Sequence, residues 1–211
     1  MIPTHGGGSP IVVRPAVKAD ARELSRVLAL AFEHDPPMIW LFPDPASRRR
    51  QLRRMFLTVF RRAVCARGGA RVATDGGRIV GAALWLPPRT GARAPKRDQV
   101  MVLAGLLWAF GRRFGYIKIL GEATAKTHPK EPHWYLFAIG VDPSHQGTGV
   151  GAALLRERLR HIDAERLPAY LESSSLANVP MYEHFGFENT GTVPLPEDAP
   201  VLTSMWRTPQ Q

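Results

Sequence analysis

Hydrophobic residues recur along the chain at two spacings, one typical of helices and the other of strands. Apolar side chains return at helical spacing in two segments, which predicts helices over Asp20–Phe32 and Ser47–Ala66. The prolines between Glu33 and Pro45 rule out a continuous helix there, so we expect a loop. Two apolar runs then flank the turn sequence Asp75-Gly76-Gly77, which predicts a β-hairpin ending at Leu86.

Beyond the hairpin the pattern continues to mix the two kinds of element. The predicted elements are, in order, an interrupted helix Arg97–Thr127, a strand Tyr135–Val141, a helix Gly149–Ala164, a strand Ala169–Glu172, a short helix Val179–Phe185 and two closing strands, Phe187–Val193 and Val201–Trp206. An antiparallel start followed by a strand–helix–strand unit predicts an α/β fold with a mixed sheet. We expect one domain over residues 10–211, preceded by a flexible tail over residues 1–9.

The composition limits both the cellular compartment that we expect and the kinds of metal or disulfide site that the chain can form. Cys65 is the only cysteine, so an intrachain disulfide is excluded and a cysteine-based zinc site nearly so. The segment Met1–Ser9 lacks the basic start and apolar run of a signal peptide. The longest apolar stretch, Val100–Phe110, is too short to span a bilayer. We therefore expect a protein of the reducing cytoplasm with no membrane partner.

A net charge of +10 is compatible with binding to nucleic acid, but also with binding of a small polyanionic ligand. The arginines are spread over several segments with no aromatic residues interleaved as in RNA-binding motifs, so we expect no nucleic-acid partner. We expect no metal either, because no metal-ligand spacing links His34, His133, His145, His161 and His184.

The most informative stretch is a glycine-rich turn between a strand and a helix, within YLFAIGVDPSHQGTGVGAALL. Glycines at 147, 149 and 151 allow a tight turn with no Cβ in the way of a ligand. Amide groups at the start of the following helix form an anion site, because they lack intrahelical acceptors and lie at the positive end of the helix dipole. By itself this pattern fits an ordinary helix start as well as a phosphate site.

Two familiar phosphate-binding patterns do not fit this turn. A dinucleotide fold places G-x-G-x-x-G after its first strand, whereas this turn has a different spacing and lies late in the chain. A nucleoside triphosphate P-loop requires a lysine after its last glycine, and Gly151 is followed by Ala152.

The pattern that fits is Q-x-x-G-x-G, formed by Gln146, Gly149 and Gly151, and it resembles the pyrophosphate-binding signature of the GNAT superfamily of N-acetyltransferases. That family often has arginine where Gln146 stands. The later stretch NVPMYEHFGF resembles a second element of the same family. The surrounding PKEPHWYLFAIG and LESSS are similar to the puromycin N-acetyltransferase-like branch, over Pro129–Trp206. The resemblance implies a single domain with about seven strands in a mostly antiparallel sheet, flanked by helices, with a splayed central strand pair.

The resemblance also implies acetyl-CoA as acyl donor and a set of site residues. Tyr182 would protonate the leaving thiolate, and Glu172, at a strand end, would be the base that deprotonates the amine; the alternative for Glu172 is a surface or capping carboxylate. A backbone N–H of Ile139, Gly140 or Val141 would stabilise the oxyanion. The full cofactor-binding set is Ile139, Gly140, Val141, Gln146, Gly147, Thr148, Gly149, Val150, Gly151, Ala152, Asn178 and Tyr182.

The acceptor site is less defined by the sequence. The candidates are Glu33–Phe42 and the helix around Trp108–Tyr116, where exposed aromatic residues would favour an amine with an apolar body, and Glu33 or Asp35 would attract its ammonium. We expect acetyl transfer to a primary amine of a small molecule, an antibiotic being one candidate. The alternatives are a non-catalytic acyl-CoA sensor and a protein or peptide N-acetyltransferase, and a homodimer is left open.

Overall fold

A computed structural model describes residues 10–88 and 104–210, and seven strands within them form one sheet. The strands are β1 (Val12–Pro15), β2 (Ala70–Asp75), β3 (Arg78–Leu86), β4 (Trp134–Val141), β5 (Ala169–Ser173), β6 (Glu188–Thr192) and β7 (Thr203–Arg207). Their order in the sheet is β1-β2-β3-β4-β5-β7-β6, and every neighbouring pair is antiparallel except β4 and β5. The predicted mixed, mostly antiparallel sheet is confirmed. The tail over residues 1–9 lies outside the described residues.

Helices flank the sheet on both sides. They are α1 (Ala21–Ala31), α2 (Pro36–Leu41), α3 (Pro45–Val59), α4 (described over 104–110), α5 (Phe114–Thr127), α6 (Val150–Ala164) and α7 (Val179–His184). The helix predicted up to Ala66 ends earlier as an α-helix, and a π-helical turn, Phe60–Val64, continues it. No helix in the described part of the chain is long and apolar enough to cross a membrane.

The loop predicted between Glu33 and Pro45 is wrong, because α2 forms there. Pro36 and Pro37 occupy the first two helical positions, where a backbone N–H has no intrahelical partner to lose. The helix buries Leu41 and is followed by Phe42, which is only 1 % exposed. Phe42 was expected to be exposed, but it packs on Phe110 with ring centroids 4.5 Å apart.

Two glycines let helices pack closely on opposite faces of the sheet. On one face α1 crosses β4 at Gly140, where a Cβ would lie 2.7 Å from the Cβ of Ala31. On the other face α6 crosses β3 at Gly81, where a Cβ would lie 2.7 Å from Cγ1 of Val150. Because Val150 is the first residue of α6, this contact holds the start of that helix against the sheet.

The centre of the sheet opens between β4 and β5. These strands pair only from Trp134 to Leu136 on β4, although β4 continues to Val141. In the same region β4 carries a bulge toward β3, since Leu84 pairs with Ala138 and Trp85 with Leu136. Phe137 is therefore an extra residue, and it reverses the direction of the amides that follow. The predicted splayed strand pair is thus present.

Candidate active site

A cavity of about 780 Å³ opens where β4 and β5 diverge. Its walls come from the second half of β4, the glycine-rich turn before α6, the ends of β5 and α1, and helices α2, α5 and α7. Of the predicted catalytic and cofactor-binding residues, Thr148 alone does not line it. Those that do are Ile139, Gly140, Val141, Gln146, Gly147, Gly149, Val150, Gly151, Ala152, Glu172, Asn178 and Tyr182. Residues more than thirty positions apart in the chain therefore line the same cavity.

The glycine-rich turn presents unpaired amides to this cavity. Gly147 and Gly149 have φ values of 76° and 85°, in the left-handed region that side-chain-bearing residues avoid. The first hydrogen bond of α6 runs from Ala153 N to Gly149 O, at 2.9 Å. The amides of Val150, Gly151 and Ala152 therefore have no intrahelical acceptor, as the anion site predicted from the sequence requires.

The polar side chains of the turn form hydrogen bonds to nearby backbone carbonyls. The Thr148 hydroxyl donates to the carbonyl of His145 at 2.6 Å, which explains why Thr148 does not reach the cavity. The Gln146 amide donates to the carbonyl of Val141 at 3.4 Å, a long bond to an exposed side chain. A Cβ on Gly151 would meet only Cγ2 of Val141, at 3.7 Å, so the space above this glycine is open to a ligand.

The open edge of β4 offers further amides, but not from all three predicted residues. Asp142 N donates to Val80 O at 2.8 Å, so Gly140, two residues earlier and on the same side of the bulge, also directs its N–H toward β3. Ile139 and Val141 point the opposite way, toward the gap left by β5. The missing side chain of Gly140 is explained by α1, as described above. The structure thus narrows the expected oxyanion donor to Ile139 and Val141.

Glu172 lies immediately beyond the last residue of β5 that pairs with β4. Its side chain is 5 % exposed, so the alternative of a surface carboxylate does not hold. The Tyr135 hydroxyl donates to Oε2 at 2.5 Å, while Oε1 is buried and accepts no hydrogen bond from any described residue. Burial, together with the negative charge of Glu172, raises the pKa of Tyr135 well above its ordinary value, so Tyr135 remains a donor.

Behind Glu172 lies a histidine pair that sequence reasoning missed. His128 Nδ1 lies 3.9 Å from Glu172 Oε1, and His128 Nε2 lies 3.1 Å from His133 Nε2. His133 Nδ1 in turn faces the carbonyl of Glu131 at 2.6 Å. The sequence predicts no functional role for His133 or for His128. The parallel pairing of β4 and β5 could have indicated the Tyr135–Glu172 contact, but no pattern in the sequence points to His128.

Asp35, at the start of α2, also lines the cavity and lies near Tyr182. The hydroxyl of Ser174, just after β5, donates to Asp35 Oδ1, and the buried Oδ2 has no hydrogen bond to the described residues. Burial raises the pKa of Asp35, and the Ser174 hydrogen bond opposes that shift. Tyr182 is 7 % exposed, and burial together with the Asp35 charge raises its pKa well above the ordinary value. Asn178 is exposed at the cavity rim, at the N-terminus of α7.

The far end of the cavity is apolar. It is lined by Met38, Leu41, Met55, Phe56, Phe110, Ile117 and Leu120. Other residues expected at the acceptor site face elsewhere. Glu33 is paired with Arg49 at 2.6 Å, Trp40 packs edge-on against Tyr116, and Trp108, which is 57 % exposed, lies under the guanidinium of Arg54. Of the two acidic residues predicted for this site, only Asp35 lines the cavity.

Comparison with known proteins agrees with this arrangement. Residues 29–187 match the model of the acetyltransferase (GNAT) family. An uncharacterised N-acetyltransferase of Schizosaccharomyces pombe is 30 % identical over 85 % of this chain and 75 % of its own length. A mycothiol acetyltransferase of Streptomyces avermitilis is 36 % identical over 73 residues, which are 33 % of this chain but only 24 % of that protein.

Solved structures show the same fold. A Corynebacterium glutamicum protein, described as histone acetyltransferase HPA2 and related acetyltransferase, superposes with a TM-score of 0.72 at 32 % identity and covers 97 % of both chains. A GNAT family acetyltransferase of Brucella melitensis, solved in complex with acetyl-CoA, has a TM-score of 0.52 at 16 % identity, over 96 % of this chain and 90 % of its own. The second likeness is one of fold alone.

Proposed function

Because the chain belongs to the acetyltransferase (GNAT) family and is an acetyltransferase that uses acetyl-CoA as its acyl donor, we propose that it acetylates a primary amine of a small molecule. The reaction is a direct attack of the amine on the thioester while both substrates are bound. One observation carries the proposal: a single cavity holds the amide-rich turn, the carboxylate of Glu172 and the phenol of Tyr182.

The described residues fit acetyl-CoA. The pyrophosphate suits the free amides of Val150, Gly151 and Ala152, with open space above Gly151. The pantetheine arm suits the unpaired edge of β4, where the amides of Ile139 and Val141 face the gap, and the Asn178 side chain lies at the rim of the same cavity. The bound donor supplies an activated acetyl thioester.

Glu172 is the proposed base. An alkyl ammonium has a pKa near about 10 and has no free lone pair at neutral pH, so one proton must leave before attack. Glu172 Oε1 is buried beside the cavity with no hydrogen bond from the described residues, so it has a free lone pair to accept that proton. Tyr135 holds Oε2 and therefore fixes the orientation of the carboxylate.

Tyr182 is the proposed acid. Its raised pKa keeps the phenol protonated, so it can give a proton to the leaving sulfur. It lies on α7 and Glu172 lies on β5, so two different elements of one cavity supply the group that donates a proton and the group that receives one. An amide of Ile139 or Val141 would stabilise negative charge on the thioester oxygen.

The acceptor is proposed to combine one ammonium group with an apolar body. Asp35 offers an unpaired buried carboxylate oxygen for the cation, and the apolar end of the cavity lies beside it. A polycation would leave charges without partners in that apolar end, which disfavours polyamines and aminoglycosides. An aromatic antibiotic with a single free amine, such as puromycin, fits this description.

The test is release of free thiol from acetyl-CoA with a panel of amines: an aromatic monoamine such as tyramine, puromycin, an aminoglycoside, a polyamine and a short peptide. We expect turnover with tyramine or puromycin. Saturable acetyl-CoA binding without turnover of any amine would replace this proposal with a sensor. Turnover of the peptide alone would replace it with a peptide N-acetyltransferase.

A further inference from the structure

We propose that His128 is a proton relay for Glu172, passing the proton taken from the amine to solvent at a second cleft beside the cavity. This inference rests on the proposed function, because it concerns the proton that Glu172 removes. His128 does not line the cavity and acts only through Glu172. It is a positioning residue rather than a group that touches the substrate.

The hydrogen-bond partners define the tautomer of each ring. The carbonyl of Glu131 can only accept, so His133 Nδ1 must carry the hydrogen that reaches it at 2.6 Å. In a neutral His133, Nε2 is then the acceptor, and the partner nitrogen, His128 Nε2, must donate across 3.1 Å. It follows that a neutral His128 has its lone pair on Nδ1, directed at Glu172.

Two lone pairs therefore face each other with no proton between them. His128 Nδ1 and Glu172 Oε1 are 3.9 Å apart, and Oε1 accepts no hydrogen bond within the described part of the chain. The distance is about 1 Å longer than a hydrogen bond but within the range of an ion pair. A proton arriving on either atom would draw the two together. The pair is thus a prepared site for one additional proton.

The surroundings hold the His128 ring in this position. Tyr135 and Tyr170 contact it edge-on, each with ring centroids 5.1 Å away, at interplanar angles of 89° and 81°. The titratable groups facing His128 are Glu172, His133 and these two tyrosines. Burial raises the pKa of Tyr170 to about 12 and the pKa of Tyr135 well above its ordinary value, so neither tyrosine supplies charge near neutral pH.

An exit for the proton lies next to the histidine pair. A second cleft, of about 420 Å³, is lined by Thr127 and Pro129, the chain neighbours of His128 on both sides. Trp206 also lines this cleft, and its ring lies 5.6 Å from that of His133. His128 itself is 23 % exposed through its side chain. Substrates filling the first cavity would cut Glu172 off from water there, and the second cleft stays open.

The protons balance as follows. Glu172 takes one proton from the ammonium before the carbon–nitrogen bond forms. Tyr182 gives its proton to sulfur as the carbon–sulfur bond breaks, and recovers the second proton released by nitrogen. Glu172 passes its proton to His128 Nδ1, and His128 releases its Nε2 proton toward His133 and the second cleft. His128 is then left with hydrogen on Nδ1, and exchange of that hydrogen for one on Nε2 through water restores the starting tautomer. One proton leaves for each acetyl group transferred, and all residues return to their starting state.

The first test needs no substrate. Nitrogen-15 histidine NMR of the full chain should show neutral His128 with hydrogen on Nε2, and Glu172→Gln should move the resonance of His128 Nδ1 because it replaces the carboxylate oxygen that faces this nitrogen. The control, Glu122→Gln, removes the same charge from an exposed side chain of α5 and should leave His128 unchanged. Hydrogen on Nδ1 of neutral His128, or the same Nδ1 resonance in wild type and Glu172→Gln, would overturn the relay.

The second test uses whichever amine is turned over. His128→Gln cannot carry a proton, so kcat at pH 7 should fall about tenfold or more, KM for both substrates should hold, and added imidazole should restore part of the rate. The matched control is His161→Gln, at an exposed position of α6, and this variant should keep full activity. An unchanged kcat in a His128→Gln protein with wild-type thermal stability would overturn the relay. If no amine is turned over, the proposed function fails while the NMR result still stands or falls separately.

Discussion

Tyr135 and Glu172 lie on neighbouring parallel strands, and the Tyr135 hydroxyl donates to Glu172 Oε2 at 2.5 Å just where the strands part. The bond uses one oxygen of the carboxylate and leaves the other free. Because both residues belong to the sheet, the carboxylate is held by backbone structure rather than by a loop.

Tyr135→Phe removes the donor and leaves Glu172 Oε2 buried without a partner. We expect a loss of stability of about 1–3 kcal/mol, because a buried carboxylate oxygen loses its hydrogen bond. The carboxylate should also lose its fixed orientation, so kcat/KM for the amine should fall. Tyr116→Phe, a tyrosine that packs on Trp40, is the control. A kcat/KM equal to that of wild type would argue against the orienting role of Tyr135.

Tyr182→Phe should lower kcat far more than it weakens acetyl-CoA binding, because the lost hydroxyl acts only as sulfur leaves. Burial raises the pKa of Tyr182, so the wild-type phenol stays protonated and its ionisation should cause no loss of rate as pH rises to about 10. Single-turnover kinetics and calorimetric titration separate the two effects. Equal turnover by wild type and variant would remove Tyr182 from the reaction.

Glu172→Gln should slow the reaction most at neutral pH. As pH approaches the pKa of the amine, the amine loses its proton to solvent, so the difference between wild type and variant should shrink. The measurement is kcat/KM for the amine between about pH 7 and pH 10. A loss of constant size across that range would indicate that Glu172 positions the substrate instead of accepting its proton.

Asp35→Asn removes the charge proposed to bind the acceptor ammonium. KM for the amine should rise, while the affinity for acetyl-CoA should hold, because the glycine-rich turn lies at the other end of the cavity. Glu33→Gln is the matched control, since Glu33 pairs with Arg49 and does not line the cavity. If the two variants raise KM equally, Asp35 has no specific role in binding the amine.

Gly149→Ala places a side chain on a residue with φ of 85°. We expect a stability loss of about 1–2 kcal/mol and weaker acetyl-CoA binding, because the turn can relieve the strain only by moving its amides. Gly115→Ala is the control, since it lies in α5 with open space around its Cβ and no positive φ. Thermal unfolding and calorimetric titration measure the two effects. Unchanged affinity would mean that the turn does not hold the donor.

The sequence predicted the donor half of the site better than the acceptor half, for a physical reason. The donor half depends on local backbone geometry, and glycines at 147, 149 and 151 next to a helix start indicate it directly. Asp35 and Ser174 meet only because α2 packs against the end of β5, and α2 itself was predicted as a loop. His128 reaches Glu172 from a segment before β4, a contact that no spacing encodes.

The prediction of the oxyanion donors was also limited by contacts that the sequence does not encode. The stretch Ile139–Gly140–Val141 was identified, but the direction of each amide depends on the bulge at Phe137, which is a property of strand pairing. The glycine at 140 suggested a ligand, and the structure explains it by the close approach of Ala31. The puromycin N-acetyltransferase-like branch, the homodimer and the cytoplasmic location stay predictions.

The contact of Ala31 with Gly140 divides the molecule into a part that should resist change and a part that should accept it. Helix α1 is seated on the backbone of β4, so neither can be altered without disturbing the other. Helix α2 begins only a few residues later and shares no such contact with β4. New amine specificities, whether they arise in nature or by directed evolution, should therefore accumulate in α2 and the first turns of α3, with the thioester-binding machinery inherited unchanged.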